Sequence, residues 1–375
     1  MITLELRRAI ERAAADASDG SDGLDPGLRP GGAPGQYASS AAFALAARGG
    51  QPPASVAALL ADRLRSEEPW IGKAEVTGQG YVTVTATPEA LREVADRVTA
   101  AGRDCVRSDA LAGRVFPELA QGAWEDAATW DEARELLAAE VTLRLAEAAG
   151  AASEDAGESA GGGGNGGEGT IRSEESGWAP SAAVAYAGVD AVRFSLARAR
   201  PGRRVSLDPR KIARHHLGNP AYAVRYAHAR AASGVRWAAA ANPDQAGPQR
   251  PSADPGELAL LDALSWLPDR VATAARRARP DEFARYLEHV ADATLAALTR
   301  AREQPPQRRR PRRAPGSDRL ALAQAARTGL AAGLELLGVS APDRLLSNTG
   351  EDQRHERACE RIGKHCASAN AADER

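Results

Sequence analysis

Apolar positions keep a helical spacing along most of the chain and switch to strict alternation in one place. Ile2, Leu4, Leu6, Ile10 and Ala13 or Ala14 recur near three- and four-residue intervals, which predicts an amphipathic helix over residues 2–17. The string DGSDGLDPGLRPGGAPG at residues 19–35 breaks it. Ala, Leu and Val recur at helical spacing from Ala38 to Ala47 and from Pro53 to Leu64, with Ser55 as the expected cap of the second helix. From Ile71 to Ala86 the period becomes two. Val76 precedes a Gly-Gln-Gly turn and Tyr81 to Thr85 reads as a strand, so the stretch predicts a hairpin. Pro88 opens a further helix with Leu91, Val94 and Val98 on one face. Residues 1–100 are therefore expected to form a small α/β unit whose sheet needs helices as cover.

The remainder is helical by period. Trp130 to Ala149 is one helix, and the glycine- and acid-rich residues 150–177 after it carry too little apolar surface to offset ordering entropy, so they read as a flexible linker. Val189 to Arg200 follows. Four more segments come next: Pro220–Ala240 with Val224, Ala227, Ala231 and Val235; Glu257–Leu267 abutting Pro268–Arg279; Asp281–Arg300 with Phe283, Leu287, Val290, Thr294 and Leu298; and Arg319–Leu337, with Gly338 as its C-terminal cap. Mostly short connections favour antiparallel bundle packing. The fold class expected is α+β: an N-terminal α/β domain (residues 1–100), an acidic helix and Gly-rich linker (101–186), an all-α bundle (187–345) and a polar tail (346–375).

Charge sharpens this picture only when read by segment. Across 375 residues, 48 Lys and Arg against 50 Asp and Glu give a net charge of -2, which excludes a wholesale cationic coat. Residues 101–180 hold 16 acidic side chains against 6 arginines, a balance of -10 that repels nucleic acid. Residues 197–237 are the opposite. Arg198, Arg200, Arg203, Arg204, Arg210, Lys211, Arg214, Arg225, Arg230 and Arg236 face only Asp208, a sum of +9, with Tyr222, Tyr226 and Trp237 interleaved. Stacking surfaces beside guanidinium groups suit unpaired RNA bases and phosphates, although a charged helix face is more often simply solvated. A second basic run occupies Arg308–Arg313.

Other chemistry finds little support. Three cysteines, Cys105, Cys359 and Cys366, are too few for a disulfide framework and fit a reducing cytoplasm. No uncharged apolar run of about 18 residues could span a membrane, and no leader is apparent. No nucleophile, base and carboxylate set stands out, so no catalytic residue is expected. GGGGNGGEGT lacks the Gly-Lys-Ser/Thr that grips phosphate. His355, Cys359, His365 and Cys366 match no established zinc spacing. Neither a metal nor a cofactor is expected.

The string NPAYAVRYAHARAASGVRWA, from Asn219 to Ala238, resembles the start of the anticodon-binding domain of arginyl-tRNA synthetases. The likeness continues through AGVDAVRFSLARARPGRRVSLD before it, through ELALLDALSWLPDRVATAARRARPDEFARYLEHVADATLAAL, and into GSDRLALAQAARTGLAAGLELLGVSAPDRL. GQYASSAAFALA, PPASVAALLADRL and AEVTGQGYVTVT resemble the N-terminal additional domain of the same enzymes, which contacts the outer corner of the tRNA. Gly35, Tyr37 and Ser39 keep that domain's Gly-Asp-Tyr-x-Ser-Asn pattern, whereas Gln36 and Ser40 depart from it. A serine cannot pair bidentately with a base edge as an asparagine can. Between the two likenesses a synthetase carries an ATP-binding catalytic domain with a His-x-Gly-His motif and a Lys-Met-Ser-Lys-like loop. Neither occurs here, and HHLGN at His215–Asn219 lies on the helical side of the match.

The resemblance implies a cytoplasmic tRNA-binding protein of the translation apparatus without aminoacylation chemistry, its partner an arginine tRNA or tRNA-like RNA. Two other readings stand beside it: a degenerate arginine–tRNA ligase, and a regulatory module whose bundle binds a protein. By the resemblance, Tyr226 lies on the anticodon-facing helix, where it stacks on a loop base or fills the core. Arg225 suits phosphate and Arg230 is the stronger phosphate or base contact, joined by Arg236, Tyr222 and Trp237. Tyr37 either stacks on a corner base or fills the small domain's core, and Ser40 occupies the family's Asn position. His228 reads as a structural histidine, and Asn219 before Pro220 as a helix cap.

Overall fold

Seven side chains of the opening helix, α1 (Ile2–Ala15), are buried along one face, among them Ile2, Leu6, Ile10 and Ala13, as the apolar spacing requires. The computed structural model describes residues 1–15, 24–116, 122–153, 178–240, 254–303 and 317–345. Most of the expected linker, the Arg308–Arg313 run and the tail with His355, Cys359, His365 and Cys366 lie outside the described residues.

The α/β unit holds a four-stranded antiparallel sheet in the order β1 (Arg29–Pro30), β2 (Gln36–Ser39), β4 (Tyr81–Ala86), β3 (Ile71–Thr77). The expected hairpin is β3–β4, paired from Thr77↔Tyr81 to Ile71↔Ala86. Strands β1 and β2 are additional: β2 pairs along β4 with Tyr37 opposite Val84, where sequence spacing placed the beginning of a helix. That helix, α2, starts later and runs Ala41–Gly49. The next, α3 (Pro53–Glu67), begins after Pro52, so Ser55 sits in its first turn and is not its cap. In α4 (Pro88–Ala101) the Thr87 hydroxyl accepts from the Ala90 N–H at 3.2 Å, with Pro88 pre-set at the first helical position.

After a short parallel pair, β5 (Val115–Phe116) with β6 (Ala152–Ser153), the rest is helical. Its helices are α5 (Trp130–Ala148), α6 (Pro180–Ala187), α7 (Val189–Ala197), α8 (Pro209–Ile212), α9 (Pro220–Ala240), α10 (Pro255–Ser265), α11 (Leu267–Arg276), α12 (Pro280–Glu303) and α13 (Ser317–Leu336). The acidic helix α5 packs against α7 and α11. Its Glu140 pairs with the buried Arg193 of α7, whose Nε donates to the Leu337 carbonyl at 2.7 Å. Gly338 closes α13 at φ +68°, a conformation that favours glycine.

The sheet unit and the helices share one core, because α4 packs on both α10 and α13. Polar contacts reinforce that junction. The Thr3 hydroxyl donates to the Ser265 carbonyl at 2.8 Å, and Arg7 pairs with Asp269 at 3.0 Å. The Gly35 N–H donates to Asp262 at 3.0 Å. No helix among the described residues is long and apolar enough to cross a membrane.

Candidate nucleic-acid interface

Helix α9 presents its aromatic and basic side chains as a stripe because they recur at helical spacing. At about 100° per residue, Tyr222, Tyr226, Arg230, Ser233 and Trp237 fall within an arc of about 80°. The opposite face buries Ala221, Val224, Ala227 and Ala231, and the helix packs on α7, α12 and α13. Trp237 is 74% exposed, which marks the stripe as a surface feature. Arg230 is half-buried and carries no ion-pair partner among the described residues.

The rings of the stripe are ordered. Tyr222 stacks on Tyr226 with centroids 5.7 Å apart and planes at 22°, and the exposed His215 stacks on Tyr222 at 5.3 Å and 15°. These separations lie in the range of offset aromatic stacking. Burial, then the neighbouring Tyr226, raises the pKa of the Tyr222 phenol, so it stays protonated and can donate or accept. His215 belongs to no motif that sequence reasoning accepted; its only signal was its position just ahead of the helix. It is held there by Asn219, whose side-chain amide donates to the Ile212 carbonyl at 2.7 Å and the Arg214 carbonyl at 2.9 Å. Asn219 thus stands at the helix start, its backbone carbonyl accepting the first helical bond, from Ala223 at 2.8 Å, while its side-chain amide ties the preceding turn.

The connection from α7 to α9 supplies charge. Arg200, Arg203, Arg204, Arg210 and Arg214 are exposed and have no acidic partner among the described residues, while Lys211 stands 4.0 Å from Asp208. Arg198 is different, being paired with Glu288. The surface of this connection, which leads into His215, is thus cationic and uncompensated among the described residues, an arrangement that attracts phosphate.

Two arginines of the predicted set are committed to the fold. Arg225 pairs with Asp190 at 3.1 Å and donates to the Ser340 hydroxyl at 3.2 Å. Arg236 is exposed and donates to the Asp343 carbonyl at 3.0 Å. Asp343 also takes both arms of Arg327, at 3.0 and 2.9 Å. His228 is buried as a structural histidine, its Nδ1–H donating to the Pro342 carbonyl at 3.0 Å. Burial lowers its pKa and that carbonyl opposes the shift. Residues 340–343 are therefore fastened across α9.

Tyr37 and Ser40 do not join this cluster. Tyr37 has no exposed surface, its ring packs on Trp266 at 5.4 Å, and its hydroxyl hydrogen-bonds Ser265 at 3.1 Å. Of its two readings the structure takes the core one, because β2 turns alternate side chains inward. Ser40 is half-buried, its backbone N–H donating to the Pro26 carbonyl at 3.1 Å, and its hydroxyl lies against Gly27. No group of three or more potential metal ligands occurs among the described residues.

Comparison with known proteins converges on one family. Residues 4–86 match the arginyl tRNA synthetase N terminal domain, and residues 224–345 match the DALR anticodon binding domain. An arginine–tRNA ligase of Paenarthrobacter aurescens (strain TC1) is 39% identical over 163 residues, 43% of this chain and 30% of that protein. The corresponding ligase of Bifidobacterium longum (strain NCC 2705) is 34% identical over 189 residues, 43% of this chain and 29% of that protein. The chain thus spans about three tenths of the length of these curated relatives. Among solved structures, Thermus thermophilus arginyl-tRNA synthetase shares the fold, with a TM-score of 0.61 and 16% identity over 92% of this chain and 100% of that one. With an N-terminal unit and an anticodon-binding bundle matched in order on a common fold, the chain is an arginyl-tRNA synthetase-related protein.

Proposed function

We propose that this protein binds the anticodon arm of a tRNA, with an arginine tRNA the first candidate, and does so without charging it. The observation that carries the reading is the stacked set His215, Tyr222 and Tyr226, together with five exposed arginines of the connection before it that lack acidic partners among the described residues. Splayed loop bases would extend the stack and phosphates would neutralise the arginines, a division of labour common in single-strand recognition. The match of residues 224–345 to an anticodon-binding domain, which includes Tyr226, supports tRNA binding.

In this reading residues 1–100 form the N-terminal unit, residues 101–186 the connection, residues 187–345 the RNA-binding bundle and residues 346–375 a polar tail, in a cytoplasmic protein. The absence of aminoacylation is part of the proposal. It rests on the stretch between the two family matches, residues 87–223, whose described part forms helices and one short parallel strand pair where a nucleotide-binding domain would need a doubly wound sheet.

The test is fluorescence anisotropy with an arginine-tRNA transcript and an unrelated tRNA at two salt concentrations. Tight, salt-sensitive binding of the first supports the proposal; no binding of either at low salt sinks it. A second reading draws on the relatives, which are ligases. ATP-pyrophosphate exchange by the purified chain would favour it over RNA binding alone.

A further inference from the structure

Between the sheet and the corner formed by α10, α11 and α12 lies a cavity of about 380 Å³, which the RNA-binding reading does not use. Its apolar wall is Pro30 of β1, Trp266 and Tyr286. Arg270 lines the same wall, its guanidinium carbon 5.2 Å from the centre of the Trp266 ring and 5.1 Å from that of Tyr286. Aromatic cover fixes the orientation of a guanidinium and leaves only its edge to hydrogen-bond.

That edge has the Tyr286 phenol beside it and, among the described residues, no carboxylate partner. No carboxylate lies within ion-pair distance of Arg270 among the described residues; its neighbour Asp269 is taken by Arg7 at 3.0 Å. The other charged groups of the wall are occupied. Glu282 pairs with Arg277 at 3.2 Å. Arg285 pairs with Asp281 at 2.7 Å and donates to the Arg198 carbonyl at 2.9 Å. Asp262 accepts the Gly35 N–H, and burial raises its pKa toward the neutral form.

We propose that this cavity binds a small organic anion, a carboxylate or phosphate headgroup on a flat apolar body, with Arg270 gripping the headgroup and Pro30, Trp266 and Tyr286 enclosing the body. The volume falls within the range of small-molecule pockets. An arginine edge meets either headgroup with paired hydrogen bonds. The occupant would touch both the sheet unit, through Pro30, and the bundle.

Isothermal titration of the full chain with benzoate, phenyl phosphate, inorganic phosphate and neutral benzyl alcohol tests this. One of the two aryl anions is expected to bind at one site, and which of them binds identifies the headgroup; benzyl alcohol and inorganic phosphate are expected to bind far more weakly. Arg270→Gln should weaken the aryl anion by about tenfold or more, as loss of a charged hydrogen bond does. Because that change also removes a packed side chain, Thr273→Phe provides a second variant, filling the cavity from its wall with Arg270 in place. It should abolish binding. The proposal is overturned if neither aryl anion binds, if inorganic phosphate binds as well as phenyl phosphate, or if both folded variants retain wild-type affinity.

Discussion

Tyr37 and Ser265 stand 228 positions apart in the chain, and their hydroxyls share a buried hydrogen bond of 3.1 Å. The Ser265 hydroxyl also donates to the Asp262 carbonyl at 2.8 Å, so the Tyr37 hydroxyl is its donor. The sheet is thereby joined to the α10–α11 corner by a tyrosine placed where a base contact could have been expected.

Removing only that hydroxyl, in Tyr37→Phe, should cost about 1 kcal/mol, whereas Tyr37→Ala should cost about 3–5 kcal/mol through the cavity it leaves. Urea unfolding midpoints report both. RNA affinity of folded Tyr37→Phe should equal that of wild type; a marked loss would return Tyr37 to the binding surface.

Gly35, next to this junction, has φ +77°, and a Cβ there would stand 2.5 Å from the Leu91 Cδ1. Gly35→Ala should therefore lower stability by at least about 1 kcal/mol, from backbone strain and crowding together. Thermal melts would measure it; an unchanged melting temperature would show that the turn can open freely.

Acid should weaken the fastening of residues 340–343. Burial holds the His228 pKa below its ordinary 6.5, so above that value His228 is neutral in both states and no stability is lost. As pH falls through 6.5 the unfolded chain takes the proton first, and stability declines until the folded pKa is passed. Asp262 and Asp269, raised by burial, act in the opposite sense from about their ordinary 3.8 upward. Comparing melting temperatures at pH 7.5 and about 5.5 for wild type and His228→Gln separates the two: the variant should lose less on acidification.

In the stripe, Tyr226→Ala and Tyr222→Ala should each weaken tRNA binding by about 1–3 kcal/mol, the worth of one stacked base, while the Phe variants stay near wild type. His215→Ala, which removes the other end of the stack, should show a loss of similar size. Anisotropy titrations decide this. Equal losses from the Phe and Ala variants would mean that the phenol oxygen, not the ring, matters.

The loop arginines should act through charge alone. Neutralising Arg200, Arg204 and Arg210 to Gln should reduce the slope of log affinity against log salt by about 0.7–0.9 for each phosphate no longer neutralised. Melting temperatures should hold, because these side chains are exposed and pair with no described acid. An unaltered slope would place the phosphates elsewhere.

The long helices were legible because each buries one continuous face: α9 was expected over Pro220–Ala240 and occupies that range. Strand β2 was not, since four residues following a Gly- and Pro-rich turn carry too short an alternation, and their strand character comes from pairing with β4, more than 40 positions later. The same distinction holds in the site. Tyr222 and Tyr226 could be paired by their four-residue spacing. His215 could not, because the hydrogen bonds of Asn219 decide where the turn places it. Nor could the commitment of Arg225 be read from α9 alone, its partner Asp190 lying on α7.

The junction at Ser265 also has a consequence for the order in which the molecule is made. Residues 1–100 leave the ribosome before the bundle, yet the Tyr37 hydroxyl has no partner until Ser265 is synthesised, 228 residues later. At about 5–20 residues per second that is a delay of about 10–50 s. During it the inner face of the newborn sheet, with Tyr37 and the neighbouring Gly35, has no α10–α11 corner against it. A nascent chain stalled before residue 265 should therefore expose this face to chaperones or protease, and one stalled beyond the bundle should not.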